Sequence, residues 1–395
     1  MDSCTVSSSN VLRLAKKLDF IRVLGSEGEN RAFEIIKKEL ESLDIRADYE
    51  KFASSWLEFN DSFVEINEQQ IPIKPLVSPL YSTEWQPIPK TVEIEGILVD
   101  SSTPKNNTQP HIVFRKSYEK KQPCLAKNAA QLFVAPPNDT FVAYYLACEK
   151  PTPTAYCKVE HEAFLVKSLG DICRFYWHSI ECEKALKNLV AEIKGATFPN
   201  DVIIVGAHID SFPGTVGASD NACGSAILVE FIKYFVKYPP VCTIRFVWFT
   251  GEELGLRGSH SYLKTHLHKK DTFRLYVNVD TGFSIEHGVP YVTVTGKTEL
   301  ITNVKSLIAS LAQSIPVHES NSTSGDAIPF NEHDIPTVFV CARNMKPYPH
   351  PHLPSDTFGK LDLGKIKLIG DLSLNVIDTA QQGKLFRTES IETRT

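Results

Sequence analysis

Histidines and carboxylates recur at one kind of place in this 395-residue chain, just after apolar runs that read as β-strands. The run 202–206 leads into Ala207-His208-Ile209-Asp210, and a loop then gives Ser219-Asp220-Asn221 before a helical stretch. The run 241–249 leads into Thr250-Gly251-Glu252-Glu253, and 274–279 into Asp280-Thr281-Gly282. The run 336–341 is followed by His350-Pro351-His352 and then Ser355-Asp356-Thr357. Carboxylates gathered on one sheet edge repel and raise one another's pKa values unless positive charge sits among them. Lysine and arginine are sparse in these segments, so a divalent cation, or a pair, is the natural neutraliser. Mixed nitrogen and oxygen donors suit zinc, with cobalt or manganese as substitutes. Two ions about 3.5–4 Å apart would share a bridging carboxylate and a bridging hydroxide. Each segment alone has a plainer reading. Asp220-Asn221 fits a helix cap, Glu252-Glu253 a solvated turn, and Asp280-Thr281-Gly282 a tight turn. Five such coincidences on one edge are harder to accept than one site.

The elements that must position these residues follow from the hydrophobic pattern. Strands are expected at 188–193, 202–206, 241–249, 274–279, 291–294 and 336–341, with helices at 221–238, 297–313 and 361–379. Runs such as Val202-Ile203-Ile204-Val205 are apolar throughout, as central strands covered on both faces require. Strand–helix alternation predicts an α/β fold, a mostly parallel mixed sheet with helices on both faces. Active sites of such sheets lie beyond the carboxyl ends of the strands. Residues 11–43 read as two helical pieces parted by Gly25-Ser26-Glu27-Gly28. Between them and the α/β part, proline-rich stretches and short strand-like runs at 92–99, 112–114 and 132–134 mark a mainly β insertion. The expected division is an N-terminal helical part at 1–56, an insertion at 57–184 and a catalytic part at 185–395.

The set Gly206-Ala207-His208-Ile209-Asp210-Ser211, Ala218-Ser219-Asp220-Asn221 with Gly224, Phe249-Thr250-Gly251-Glu252-Glu253-Leu254-Gly255-Leu256 with Gly258-Ser259, and Asn278-Val279-Asp280 resembles the zinc aminopeptidase family. That family is typified by aminopeptidase Y and bacterial leucyl aminopeptidases, and its relatives include glutamate carboxypeptidases and glutaminyl cyclases. Arg22-Val23-Leu24-Gly25-Ser26 looks like its N-terminal segment. The resemblance covers 11–52 and, more fully, 186–380. It implies two zinc ions per chain, with His208 and Asp280 on one, Glu253 and a C-terminal histidine on the other, and Asp220 bridging. It also implies Glu252 as general base and Asp210 as the residue orienting His208. Both His350 and His352 are available; the family pattern of His, three residues, then Asp-Thr is met by His352 with Asp356-Thr357. Two departures are Ala327, where the family often has an aromatic or histidine, and Leu353, where it usually has threonine. The insertion lies where some relatives carry a protease-associated domain, and a lid that limits substrate size is one reading of it.

With 42 Lys+Arg against 47 Asp+Glu the formal net charge is −5, which disfavours nucleic-acid binding. Hydrophobic residues at 42% exclude disorder as the main state. The sequence shows no basic start followed by an apolar stretch and no run long enough to span a membrane. Nine scattered cysteines without a Cys-x-x-Cys read as mostly reduced thiols of a cytoplasmic protein, with secretion and a few disulfides as the alternative. The leading expectation is an aminopeptidase acting on peptides, with no nucleic-acid or membrane partner and a homo-oligomer among the open assemblies. The alternatives are a carboxypeptidase or dipeptidase, for which Arg343 and Lys346 would grip a carboxylate, a glutaminyl cyclase, and a non-catalytic binding protein on the same scaffold. Trp85, Phe212, Phe283, Phe330 and Tyr348 are candidate cleft residues.

Overall fold

A computed structural model describes residues 4–75, 90–100, 102, 110–116, 129–134, 153–268, 271–321, 323–344, 352 and 354–386. The chain forms two compact units, residues 1–52 with 185–395, and residues 53–184.

The first unit is built on an α/β sheet. Four parallel strands lie side by side in the order Cys242–Phe249, Phe198–His208, Thr272–Asn278 and Thr337–Asn344. Residues 189–193 add an antiparallel strand beside Cys242–Phe249. On the other side His287–Thr295 runs antiparallel to Thr337–Asn344, and Val317–Glu319 pairs parallel with it. The chain leaves Phe198–His208 for its neighbour on one side, then returns to its neighbour on the other. That switch opens a crevice at the carboxyl end of the strand carrying His208.

Period-two alternation sorts the strand residues between two buried clusters. Ile203, Val205, Ala207, Phe246 and Trp248 face one cluster, which is shared with the helices Ser8–Ala15, Glu27–Glu41, Cys223–Lys237, Thr298–Leu311 and Leu363–Gln381. Val202, Ile204, Val247 and Phe249 face the other, shared with Arg257–His266 and Ala327–Glu332. The valine, isoleucine and phenylalanine side chains among these each contribute roughly 1.5–3 kcal/mol on burial, so the register of these strands is tightly held. Ends are capped as their sequences require. The Ser26 hydroxyl accepts the Glu29 N–H at 3.1 Å, and the Asp362 carboxylate accepts the N–H groups of Gly364 and Lys365.

The fold class is the expected one, with helices on both faces of a mostly parallel sheet. Two local differences have physical causes. The helix expected from 221 begins at Cys223, because Asp220 and Asn221 take non-helical dihedral angles that turn their side chains to separate partners. The helix Arg257–His266 was not anticipated; its apolar stripe is little more than Tyr262 and Leu263, too short to register as a period.

In the second unit, Thr91–Asp100, His111–Lys116, Ala129–Val134 and Thr154–Cys157 form a parallel array. Residues 172–178 pair antiparallel with its Thr91 edge and Lys74–Pro75 with its Thr154 edge. Phe63–Ile66 and Gln69–Pro72 make a hairpin around Asn67-Glu68, both at positive φ. The core is aliphatic and aromatic, with Phe175 and Trp177 packed edge to face.

Candidate metal centre

Three of the four parallel strands deliver their polar residues within four positions of their last paired residue. His208 ends its strand, Asp280 lies just past Asn278, and Glu252-Glu253 just past Phe249. The turn carrying the glutamates is drawn tight by a two-way clasp. Asn188 accepts the Thr250 N–H at 3.2 Å and donates to the Gly258 carbonyl at 2.9 Å, while the Gly258 N–H reaches the Thr250 carbonyl at 2.9 Å. A Cβ at 258 would lie 2.4 Å from the Asn188 Oδ1 and 2.6 Å from the Thr250 oxygen, so this approach requires glycine.

Asp220 stands at the middle of the cluster. Its Oδ1 is 3.0 Å from His208 Nε2, and its Oδ2 is 3.4 Å from His352 Nε2. His208 Nε2 also lies 3.2 Å from Asp280 Oδ1, and His352 Nε2 lies 2.8 Å from Glu253 Oε2. The two oxygens of one carboxylate thus face two separate groups, His208 with Asp280 and His352 with Glu253. Potential ligand atoms of His208, Asp220 and Asp280 fall within 4.8 Å of one another, as do those of Asp220, Glu253 and His352, and those of His208, Glu252 and Glu253. All six residues are at most 6% exposed. His350 and Leu353 lie outside the described residues, so only His352 has a described position.

Asp220 and Asn221 part company. Asn221 is the helix cap of the plainer reading: its Oδ1 accepts the Gly224 N–H at 3.0 Å and its Nδ2 donates to the Val279 carbonyl at 2.9 Å. Asp220 faces the histidines instead. Asp356 holds this turn. Its carboxylate accepts the N–H of Ser219 at 2.9 Å and that of Asp220 at 3.0 Å. Asp210 has a similar task on the other side. Its carbonyl oxygen meets His208 Nδ1 at 3.1 Å and its Oδ1 lies 3.4 Å from the same nitrogen. The two carboxylate oxygens also accept the N–H groups of Glu252 and Glu253 at 3.2 and 3.3 Å. Arg22 is fully buried beneath the loop between Asp210 and Asp220, donating to the carbonyls of Ile209, Val216, Gly217, Leu18 and Phe20.

The electrostatics are those of carboxylates crowded away from water. Burial pushes Glu252 well above the usual carboxylate range, and the charges of Glu253, Asp280 and Asp326 add to it. Burial likewise raises Glu253 and Asp326 to about 7. Burial also opposes charge on the histidines, yet the carboxylates around them prevail: His208 is raised, chiefly by Asp280, and His352 is raised to about 10, chiefly by Glu253. Burial alone would raise Asp220; the two histidines facing it pull it down. Without a metal, then, protonated imidazoles are the counter-ions. Glu253 Oε1 is buried with no hydrogen-bond partner among the described residues, as suits an oxygen that ligates a cation. The donor set fits zinc: imidazole nitrogens and carboxylate oxygens, with a carboxylate between two groups.

Arg22 and Asp356 were not singled out as site residues by sequence reasoning. A lone arginine inside Phe20-Ile21-Arg22-Val23-Leu24 is a signal for a buried cation, and the spacing of Asp356 from His352 points by itself only to a ligand pattern. Of the aromatic candidates, Phe212 stacks on the His352 ring, with centroids 4.4 Å apart and planes 7° from parallel. Phe283 and Phe330 are core residues. Trp85, Tyr348 and Lys346 lie outside the described residues, and Arg343 is described only in its backbone.

Residues 188–377, just under half of the chain, match the profile of peptidase family M28. A stretch of 180 residues is 28% identical to aminopeptidase YwaD of Bacillus subtilis, covering 44% of this chain and 39% of that protein. The matched stretch therefore spans about two fifths of that relative. Among solved structures, a zinc aminopeptidase from Bacillus subtilis superposes with a TM-score of 0.71 at 17% identity, over 95% of each chain. A glutaminyl cyclase from Fimbriiglobus ruber gives 0.54 at 15% identity, over 96% of this chain and 97% of that one. These likenesses establish the shared fold, and the chain resembles the zinc aminopeptidases that its motifs brought forward.

Proposed function

We propose, for a chain matching peptidase family M28 over residues 188–377, that it is a zinc-dependent aminopeptidase with two zinc ions per chain. The observation that carries this reading is the position of Asp220, one carboxylate with an oxygen toward each of two His–carboxylate groups. His208 and Asp280 would hold one ion, His352 and Glu253 the other, and Asp220 both. When bound, the metal pair would neutralise the carboxylates, polarise a substrate carbonyl and lower the pKa of water from ~15.7 toward ~7.

The chain's own residues supply the rest. Glu252 adjoins Glu253, and its N–H is tied to Asp210, so its carboxylate is carried into the cluster at a fixed height. As general base it takes a proton from the attacking water and returns it to the leaving amine. Asp210 keeps the Nδ1 of His208 engaged and so presents its Nε2 to the cluster. The acidic surroundings favour a substrate with a free α-amine over one with a terminal carboxylate. Among the described residues no lysine or arginine pairs with the cluster's carboxylates; Arg22 is committed to backbone carbonyls.

A panel of aminoacyl anilides and of dipeptides blocked at either end, assayed with metal analysis, tests the reading. Release from amino-free substrates with two zinc ions per chain is expected. Preference for amino-blocked, carboxyl-free dipeptides would favour a carboxypeptidase. One zinc with cyclisation of N-terminal glutamine would favour the cyclase.

A further inference from the structure

The strand Thr272–Asn278 carries Tyr276 and Asn278 on the face opposite Leu275 and Val277, and the chain goes straight on to Asp280. Both side chains are buried, at 0 and 1% exposed. The Tyr276 hydroxyl, held in place by its ring stacked on Phe330 with centroids 3.8 Å apart, donates to Asn278 Oδ1 at 2.8 Å. That bond fixes which end of the amide points where. The carbonyl end is taken by Tyr276, and the NH2 end is turned away from it, buried and without a hydrogen-bond partner among the described residues. A buried amide donor left unsatisfied costs about 1–3 kcal/mol, so the question is what it serves.

Gly325 marks the answer. It has a φ of +59°, and a Cβ built on it would lie 3.1 Å from Glu252 Oε1, 3.1 Å from Asp280 Oδ2 and 3.5 Å from Asn278 Nδ2. The donor and two carboxylate oxygens therefore all lie within 3.5 Å of one point, left clear because residue 325 has no side chain. Asp280 Oδ1 is engaged with His208, and Asp280 is a ligand in the reading above. Glu252 is different: among the described residues no side chain donates to its carboxylate. A general base with a long, flexible side chain and nothing to orient it would waste most of its encounters with water.

We propose that Asn278 is a positioning residue whose Nδ2–H donates to the Glu252 carboxylate in the zinc-loaded protein, its own orientation set by Tyr276. The inference rests on the aminopeptidase reading, because it assigns Glu252 as the base. The amide leaves one Glu252 oxygen bare to accept the proton from water and, being neutral, adds no charge to the crowded site.

The test uses the zinc-loaded full chain on an aminoacyl anilide, comparing wild type, Asn278→Ala and Tyr276→Phe. Expected is a fall in kcat of about 10- to 100-fold for Asn278→Ala, with KM and zinc content unchanged. Tyr276→Phe, which removes one oxygen and keeps the ring, should show a smaller fall with the same split. A crystal structure of the zinc-loaded protein should place Asn278 Nδ2 within hydrogen-bond distance of a Glu252 oxygen. An active wild type whose Asn278→Ala variant keeps its kcat, or loses zinc in step with activity, overturns this inference and leaves the aminopeptidase reading standing. So does a crystal structure with Nδ2 turned only to Asp326. A zinc-loaded wild type inactive on every substrate overturns both.

Discussion

Adjacent glutamates at the end of one strand have opposite tasks in the proposed reaction, and substitution separates them. Glu252→Gln should retain both metals while losing two or more orders of magnitude in kcat, since general-base catalysis is commonly worth ~10²–10⁴-fold. Turnover near that of the wild type, with metal content measured alongside, would remove Glu252 from its assigned role. Asp220→Ala should behave differently. Both groups lose the carboxylate that each of its oxygens faces, so elemental analysis should find paired binding gone. Two zincs per chain in that variant would contradict the bridging assignment. At this scale the sequence was informative about residue types: His208, Asp220, Glu252, Glu253, Asp280 and His352 could each be named from strand-end position or motif, and the fold brings them together. It offered Asn278 only as a member of the Asn278-Val279-Asp280 motif and no role for it, because an asparagine two residues before an aspartate at a strand end looks like a turn residue until Tyr276 is seen to hold its carbonyl.

Loops, rather than strands, set the fine geometry, and their supports are buried charges. Asp356→Ala removes the acceptor for the N–H groups of Ser219 and Asp220. Leaving these donors unsatisfied should cost about 1–3 kcal/mol, read as a lower Tm, with zinc affinity weakened as the Asp220 turn loosens. Asp356→Asn, which keeps one acceptor oxygen, should lose less; equal losses would mean that packing rather than hydrogen bonding is at stake. Glu29 joins the helix Glu27–Glu41 to the turn of Glu252-Glu253. Its carboxyl accepts the Gly25 N–H at 2.8 Å and the Thr250 hydroxyl donates to it. Burial, with the charge of Asp210 adding, raises Glu29 to about 8 from 4.5. A carboxyl raised on folding favours the folded state at low pH and loses that advantage as pH climbs through about 8. Glu29→Gln should therefore gain in Tm relative to wild type between pH 6 and pH 9. A Tm difference independent of pH would refute the assignment.

For the whole molecule, the site's charge balance would, on the proposed reading, tie stability to metal. Stripped of metal, the protein relies on protonated His208 and His352. A histidine raised on folding contributes stability below its unfolded value of 6.5 and loses it as pH rises through its folded value, about 10 for His352. The Tm of chelator-treated protein should fall across that window. Zinc restoration should raise it, by an amount equivalent to about 4 kcal/mol at a thousandfold excess over Kd. The gain should shrink toward acid pH, where the imidazoles must first shed protons. A Tm indifferent to zinc would mean that the cluster is not a metal site. Among the described residues no helix is long and apolar enough to cross a membrane. The sequence by itself determined the α/β class and the edge on which the chemistry lies, because apolar runs such as 202–206 and the residues that end them are local patterns. Tertiary structure alone decided that Asp220 points at two histidines while Asn221 caps a helix, that Arg22 and Asp356 hold the connecting loop, and that Asn278 keeps a free donor beside Gly325. Each of these depends on at least one group far away in the chain, such as His352 for Asp220, Val279 for Asn221 and Ile209 for Arg22, brought close only when the strands align and water is excluded.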